Sequence, residues 1–211
     1  MSGLSYCGVA RVKIPISDIR SSRPDNEIQQ NCFLYFAYGS NMLTARLHKR
    51  CPSARSLGKA VAPGFILRFW KRSKDGSAKA TLVKTDEAEK RAYGVLFEIA
   101  QSERTRLDKS EGAGQGYNRD DAFPVLRVAG GKRAIVSTYQ ATPRACDKNL
   151  VPYDWYRDLI LAGALQHGLP DAYVAELRKA VVRPDPEPQR KSRQEALDVL
   201  RCVGFQQPLQ P

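Results

Sequence analysis

A chain of 211 residues with 34 Lys or Arg against 22 Asp or Glu, a formal charge of +12, fits one compact domain with appendages rather than two full domains. No apolar run approaches the roughly 20 residues that span a bilayer, and the start Met1-Ser2-Gly3-Leu4-Ser5-Tyr6-Cys7 lacks the charged-then-apolar order of a secretory leader, so a cytoplasmic protein without membrane contact is expected. Five scattered cysteines with no CxxC pair, and only two histidines, argue against a disulfide framework and against a zinc site.

Residues 1–31 mix Ser, Pro, Asn and charges around short apolar pieces such as Val9 to Ile14, and read as a poorly ordered N-terminal extension. The run Phe33-Leu34-Tyr35-Phe36-Ala37 then has the aromatic, apolar make-up of a buried strand. It passes into Tyr38-Gly39-Ser40-Asn41, a tight loop from which Ser40 or Asn41 can cap the short helix that Pro52 ends. A loop of this kind can leave N–H groups free to cradle an anion or an oxyanion, while the tripeptide alone reads more plainly as an ordinary strand-to-helix turn.

From Arg46 to Lys74 the chain holds nine Lys or Arg residues and no carboxylate. Such a field attracts polyanions or acidic small molecules, but no aromatic and basic recognition motif accompanies it, and a solvated basic face is the plainer reading. Leu57 to Arg72 forms one bent strand or two short ones around Pro63-Gly64, and Asp75-Gly76 marks a hairpin. Ala78 to Thr85 and Arg91 to Ile99 are two further strands; Gln101 to Ser110 turns to helical spacing, with Ser102 as the cap and Gly112 as the stop.

Two more strands, Tyr117 to Val128 and Lys132 to Ala141, meet at Gly130-Gly131, and the rest is helical. Asp154 to His167 places Trp155, Leu159, Ile160 and Ala164 at core spacing, Asp171 to Val181 follows, and Gln189 to Val203 forms a short amphipathic helix. The expected architecture is α+β, a small mixed or antiparallel barrel-like core with flanking helices. Residues 32–182 form the compact domain in this reading, and residues 183–211 a Pro-rich, charged tail ending in disorder from Gln206.

Glu111 sits in the last turn of its helix, where the helix end and partial burial would both favour the protonated carboxyl and suit it to proton exchange near neutrality, although the spacing alone reads more plainly as a solvated glutamate before a glycine cap. A serine nucleophile at Ser40 lacks the glycine pattern of the GxSxG turn. His48 lies among cations, His167 stands at a helix cap, and none of the cysteines has a glycine-rich turn beside it. No GxxxxGK phosphate loop and no GxGxxG fingerprint occur.

Taken together, Phe33-Leu34-Tyr35-Phe36-Ala37-Tyr38-Gly39-Ser40-Asn41-Met42 and Leu107-Asp108-Lys109-Ser110-Glu111-Gly112 resemble the gamma-glutamylcyclotransferase family, with support from Tyr117, Tyr139, Tyr156 and Gly168-Leu169-Pro170. The resemblance runs from about Cys32 to Val181. It implies a barrel-like fold and an enzyme that releases 5-oxoproline from small gamma-glutamyl substrates with no cofactor and no metal. It further implies that Tyr38, Gly39, Ser40 and Asn41 form the substrate loop, that Glu111 is the general acid/base, and that Tyr117, Tyr139 and Tyr156 line the pocket. Gly76-Ser77-Ala78-Lys79-Ala80-Thr81-Leu82 departs from the glycine-rich approach common in the family, which leaves that wall of the pocket open.

Three readings follow. The favoured one is cyclisation of gamma-glutamyl amino acids; the second is a relative acting on glutathione or gamma-glutamyl amines. The third is a basic module binding RNA or another polyanion on the same fold, against which the presence of Glu111 argues. A homodimer is compatible with all three.

Overall fold

The computed structural model describes residues 31–206. The expectations for the N-terminal extension up to residue 30 and for the end from residue 207 lie outside the described residues.

Five strands close a barrel in the order β1 (Cys32–Ala37), β5 (Arg91–Ala100), β2 (Arg55–Pro63), β6 (Tyr117–Arg127) and β7 (Arg133–Ala141). Neighbours pair antiparallel except β1 and β7, which close the barrel in parallel through Tyr35 and Ser137. The mixed barrel with outer helices is the α+β class expected above. Inside it Phe36 stacks on Phe123 at 6.2 Å between ring centroids, and Phe65 meets Phe123 edge-on at 5.0 Å.

Leu57 to Arg72 resolves into two strands. Pro63 ends β2, and β3 (Phe65–Arg72) leaves the barrel to pair only with β4 (Ala78–Lys84). This hairpin forms a separate two-stranded wall beside the barrel.

Helices α1 (Thr44–Arg50), α2 (Arg104–Glu111), α3 (Asp154–Gln166), α4 (Asp171–Arg178) and α5 (Lys191–Cys202) pack outside. The most buried is α3, whose Trp155, Leu159, Ile160, Leu161 and Ala164 are all at or below 2% exposure. Covered by the loop after β1, by α4 and by α5, it acts as the second core of the fold. The segment after α4 is pinned to it, since the Trp155 indole N–H donates to Asp185 at 3.0 Å and Arg190 pairs with the same carboxylate at 2.8 Å.

Local capping differs from expectation. Neither Ser40 nor Asn41 caps α1; these residues form a short 3-10 turn, and Leu43 stands at the N-cap without a side-chain bond. The Thr44 N–H donates instead to Gln166 Oε1 at 2.9 Å, so the far end of α3 supplies the cap. Ser102 likewise makes no capping bond, because a 3-10 turn over Gln101–Glu103 precedes α2. Gly112 does end α2, in the left-handed conformation (φ 68°) that closes a helix at least cost with glycine.

Candidate active site

Tyr35 and Tyr38 lie at the end of β1, and the chain then turns through Gly39, Ser40 and Asn41. The turn is secured by the Met42 N–H donating to the Gly39 carbonyl at 2.9 Å, while no backbone hydrogen bond of the described residues uses the N–H of Ser40 or Asn41. What holds the loop in place is α3. A Cβ built on Gly163 falls 2.5 Å from the Leu43 nitrogen and 2.7 Å from the Met42 carbonyl carbon, so glycine there lets helix and loop touch backbone to backbone.

The Asn41 side chain, freed from capping, is the hub of the site. Its amide donates to Glu111 Oε1 at 2.8 Å and to the Tyr35 hydroxyl at 3.1 Å, and its Oδ1 accepts from Arg50 Nη1 at 2.9 Å. Arg50 also pairs with Glu111 Oε1 at 2.6 Å. Glu111 and Arg50 thus stand at the last residues of α2 and α1, both about one-fifth exposed at the side chain.

Tyrosines make up most of the wall. The Tyr38 hydroxyl donates to the carbonyl of Tyr139, and the Tyr139 hydroxyl donates to Asp108 Oδ1 at 2.7 Å. Asp108 stands one turn before Glu111 on α2 and pairs with Arg119 of β6, which fixes α2 against the barrel. Ala80 of β4 is clamped from both sides: the Tyr117 hydroxyl donates to its carbonyl at 2.6 Å, and its N–H donates to the Tyr156 hydroxyl at 3.1 Å.

Burial holds the phenols of Tyr35, Tyr38 and Tyr117 well above the usual range and lifts Tyr139 as well; it pushes Tyr156 up to about 12. All five therefore stay neutral at physiological pH. Arg46 is brought down to about 10, by burial first and by Arg50 next, and its Nε donates to Ser40 Oγ at 3.2 Å.

The eight residues singled out from the sequence, Tyr38, Gly39, Ser40, Asn41, Glu111, Tyr117, Tyr139 and Tyr156, line one pocket, which Tyr35 and Ala80 complete. Among these ten the single carboxylate is Glu111. A larger cleft of about 540 Å³ between β3, β5 and α4 shares no residue with it. Sequence reading missed Tyr35, Ala80 and Arg50; the signal for the last was its i,i+4 spacing from Arg46, which sets both on one helix face. The basic stretch is divided accordingly: Arg46 and Arg50 turn toward the loop, whereas Arg55, Arg68, Arg72 and Lys74 are exposed.

Among the described residues no group of three or more His, Cys, Asp or Glu is placed to hold a metal, and no helix is long and apolar enough to cross a membrane. Two substitutions probe the wall. A Cβ on Gly39 meets Ala80 Cβ at 3.6 Å and the Tyr156 hydroxyl at 3.8 Å, ordinary contacts that occupy pocket space. Gly39→Ala is expected to leave the melting temperature in place and raise KM about tenfold or more, the worth of one misplaced methyl group in a fitted site. Tyr156→Phe strands the Ala80 N–H and is expected to cost about 1–3 kcal/mol in a denaturant titration.

Residues 91–177, which carry Glu111 and the three later tyrosines, match the model of the AIG2-like family. The bovine protein named gamma-glutamylcyclotransferase is 33% identical over 150 residues, covering 69% of this chain and 77% of that one. Its human namesake is 31% identical over 167 residues, covering 74% and 80%. A solved gamma-glutamyl cyclotransferase superposes with a TM-score of 0.70 at 27% identity, over 79% of this chain and 98% of its own. The chain belongs to the gamma-glutamylcyclotransferase family of enzymes.

Proposed function

We propose that this protein converts gamma-glutamyl amino acids to 5-oxoproline and the free amino acid, with Glu111 moving the protons. The observation that carries this reading is the placement of Glu111 as the one carboxylate among the lining residues, oriented by Asn41 of the Gly39-Ser40-Asn41 loop. The neutral tyrosines supply shape and hydrogen bonds and leave no competing base.

The substrate's own alpha-amine attacks its own gamma-carbonyl carbon. One carbon–nitrogen bond forms to close the lactam, and the bond to the leaving nitrogen breaks. Holding the chain curled supplies an effective concentration on the order of 10⁵ M or more in well-oriented cases. The attacking nitrogen starts as an ammonium and sheds two protons; the leaving nitrogen takes up two to depart as an ammonium. Glu111 accepts and returns them in turn. Negative charge developing on the carbonyl oxygen is met by the free N–H groups of Ser40 and Asn41, each such donor being worth about 3 kcal/mol.

Residues 32–182 carry this chemistry in the proposed division, and the segment beyond braces α3 through Asp185. A cytoplasmic location belongs to the same proposal. Incubation of a gamma-glutamyl amino acid in heavy-oxygen water tests the reaction. Unlabelled 5-oxoproline is the expected product, and labelled glutamate would identify a hydrolase instead.

A further inference from the structure

The hairpin of β3 and β4 carries two lysines directly opposite one another, Lys71 and Lys79, just past an irregularity in the pairing at Trp70 that re-aims the strand. Each ammonium lies over a tyrosine of the pocket wall: Lys71 Nζ is 5.0 Å from the ring centroid of Tyr117, and Lys79 Nζ is 4.7 Å from that of Tyr156. Their charges are treated differently. Lys79 pairs with Asp75 at 2.8 Å, and its partner's carboxyl, which burial alone would raise, is held at about 2 by Lys79 and Ser77. Lys71 makes no ion pair among the described residues, although it is half-buried and feels both Asp75 and Glu111 electrostatically.

A half-buried ammonium without a counter-ion costs free energy that an incoming carboxylate recovers. The gamma-glutamyl half of the substrate is spoken for by the loop, Glu111 and the tyrosines. The leaving half must extend beyond the lining residues, and among the described residues the half-buried cations without an ion pair that adjoin them are Arg46, already engaged by Ser40 at 3.2 Å, and Lys71, over the Tyr117 ring. We propose that Lys71 receives the carboxylate of the leaving amino acid, and so selects gamma-glutamyl amino acids over gamma-glutamyl amines. The inference rests on the cyclotransferase reading above. A cation at this point also repels leaving groups that carry a second ammonium.

The test compares kcat/KM for a gamma-glutamyl amino acid and for its carboxamide, in which the leaving carboxylate alone is neutralised, in the wild type, Lys71→Gln and Lys71→Arg. The wild type is expected to favour the acid by about tenfold or more, the scale of one charge-assisted hydrogen bond. Lys71→Gln is expected to bring the acid-to-amide ratio close to one, and Lys71→Arg to keep most of the preference. A ratio that Lys71→Gln leaves at the wild-type value, or a wild type indifferent to the carboxylate, overturns the assignment of Lys71 while the lactam product upholds the reaction. Failure of the wild type to form lactam from either compound overturns both.

Discussion

Glu111→Gln is expected to lower kcat for 5-oxoproline release by about 10²–10⁴-fold, the range contributed by a positioned acid–base group. The substitution is close to isosteric. Its carboxamide oxygen still accepts from Asn41, now 2.8 Å from the carboxylate, and from Arg50 at 2.6 Å, so loop, α1 and α2 keep their arrangement. Arg50 loses its counter-ion, but its side chain is about one-fifth exposed, which leaves water to solvate the charge. What the variant loses is the capacity to take up and return a proton. Turnover, a melting temperature and calorimetric binding of 5-oxoproline to both proteins separate these effects. A kcat within tenfold of wild type, with the fold intact, would remove Glu111 from the chemistry.

The second large effect is expected from Gly163→Ala, far from the carboxylate. The added Cβ would lie 2.5 Å from the Leu43 nitrogen and 2.7 Å from both Met42 C and Met42 Cβ. These are backbone and stem atoms that cannot rotate aside, so α3 and the loop must part. Overpacking of this kind costs about 1–3 kcal/mol, which in a protein of this size lowers the melting temperature by roughly 2–12 °C. Because the displaced atoms directly follow Asn41, kcat/KM is also expected to fall by about 10²-fold, the penalty of an ångström's misplacement. Leu165→Ala, at an exposed neighbour on the same helix, is the control and should change neither quantity appreciably. Equal behaviour of the two variants would show that the helix does not set the loop.

The strands and turns were legible because each is written locally. Aromatic and β-branched runs stop at Pro63-Gly64, Asp75-Gly76 and Gly130-Gly131, and the strands end there. Glu111 was legible for the same reason, standing one residue ahead of a left-handed glycine. Partners that arrive from far along the chain were not. Asn41 was expected to cap α1, yet Gln166 does that work across the fold, and the Asn41 amide is spent on Glu111, Tyr35 and Arg50. The closure of β1 on β7 is a parallel pairing through Tyr35 and Ser137 that no local pattern encodes. A cation-rich stretch reads as a solvated face by default, and only the packing of α1 and β3 sorts Arg46, Arg50 and Lys71 from the exposed Lys49, Arg55, Arg68, Arg72 and Lys74.

Ala80 illustrates the limit most plainly. Nothing about an alanine in a strand announces a site residue, and its place follows from two tyrosine hydroxyls that reach its backbone from β6 and α3. Tyr117 and Tyr156 were expected to serve by touching substrate. Their hydroxyls hold the hairpin wall in position, so their contribution runs through the shape of the pocket as well as its surface.

The most direct measurement is 5-oxoproline release by the purified protein, offered a gamma-glutamyl amino acid, glutathione and a gamma-glutamyl amine in parallel. The account predicts lactam from the gamma-glutamyl amino acid at the highest kcat/KM of the three. Absence of lactam from all of them would contradict it, and a preference for the amine would contradict the placement of a carboxylate-binding lysine beside Tyr117.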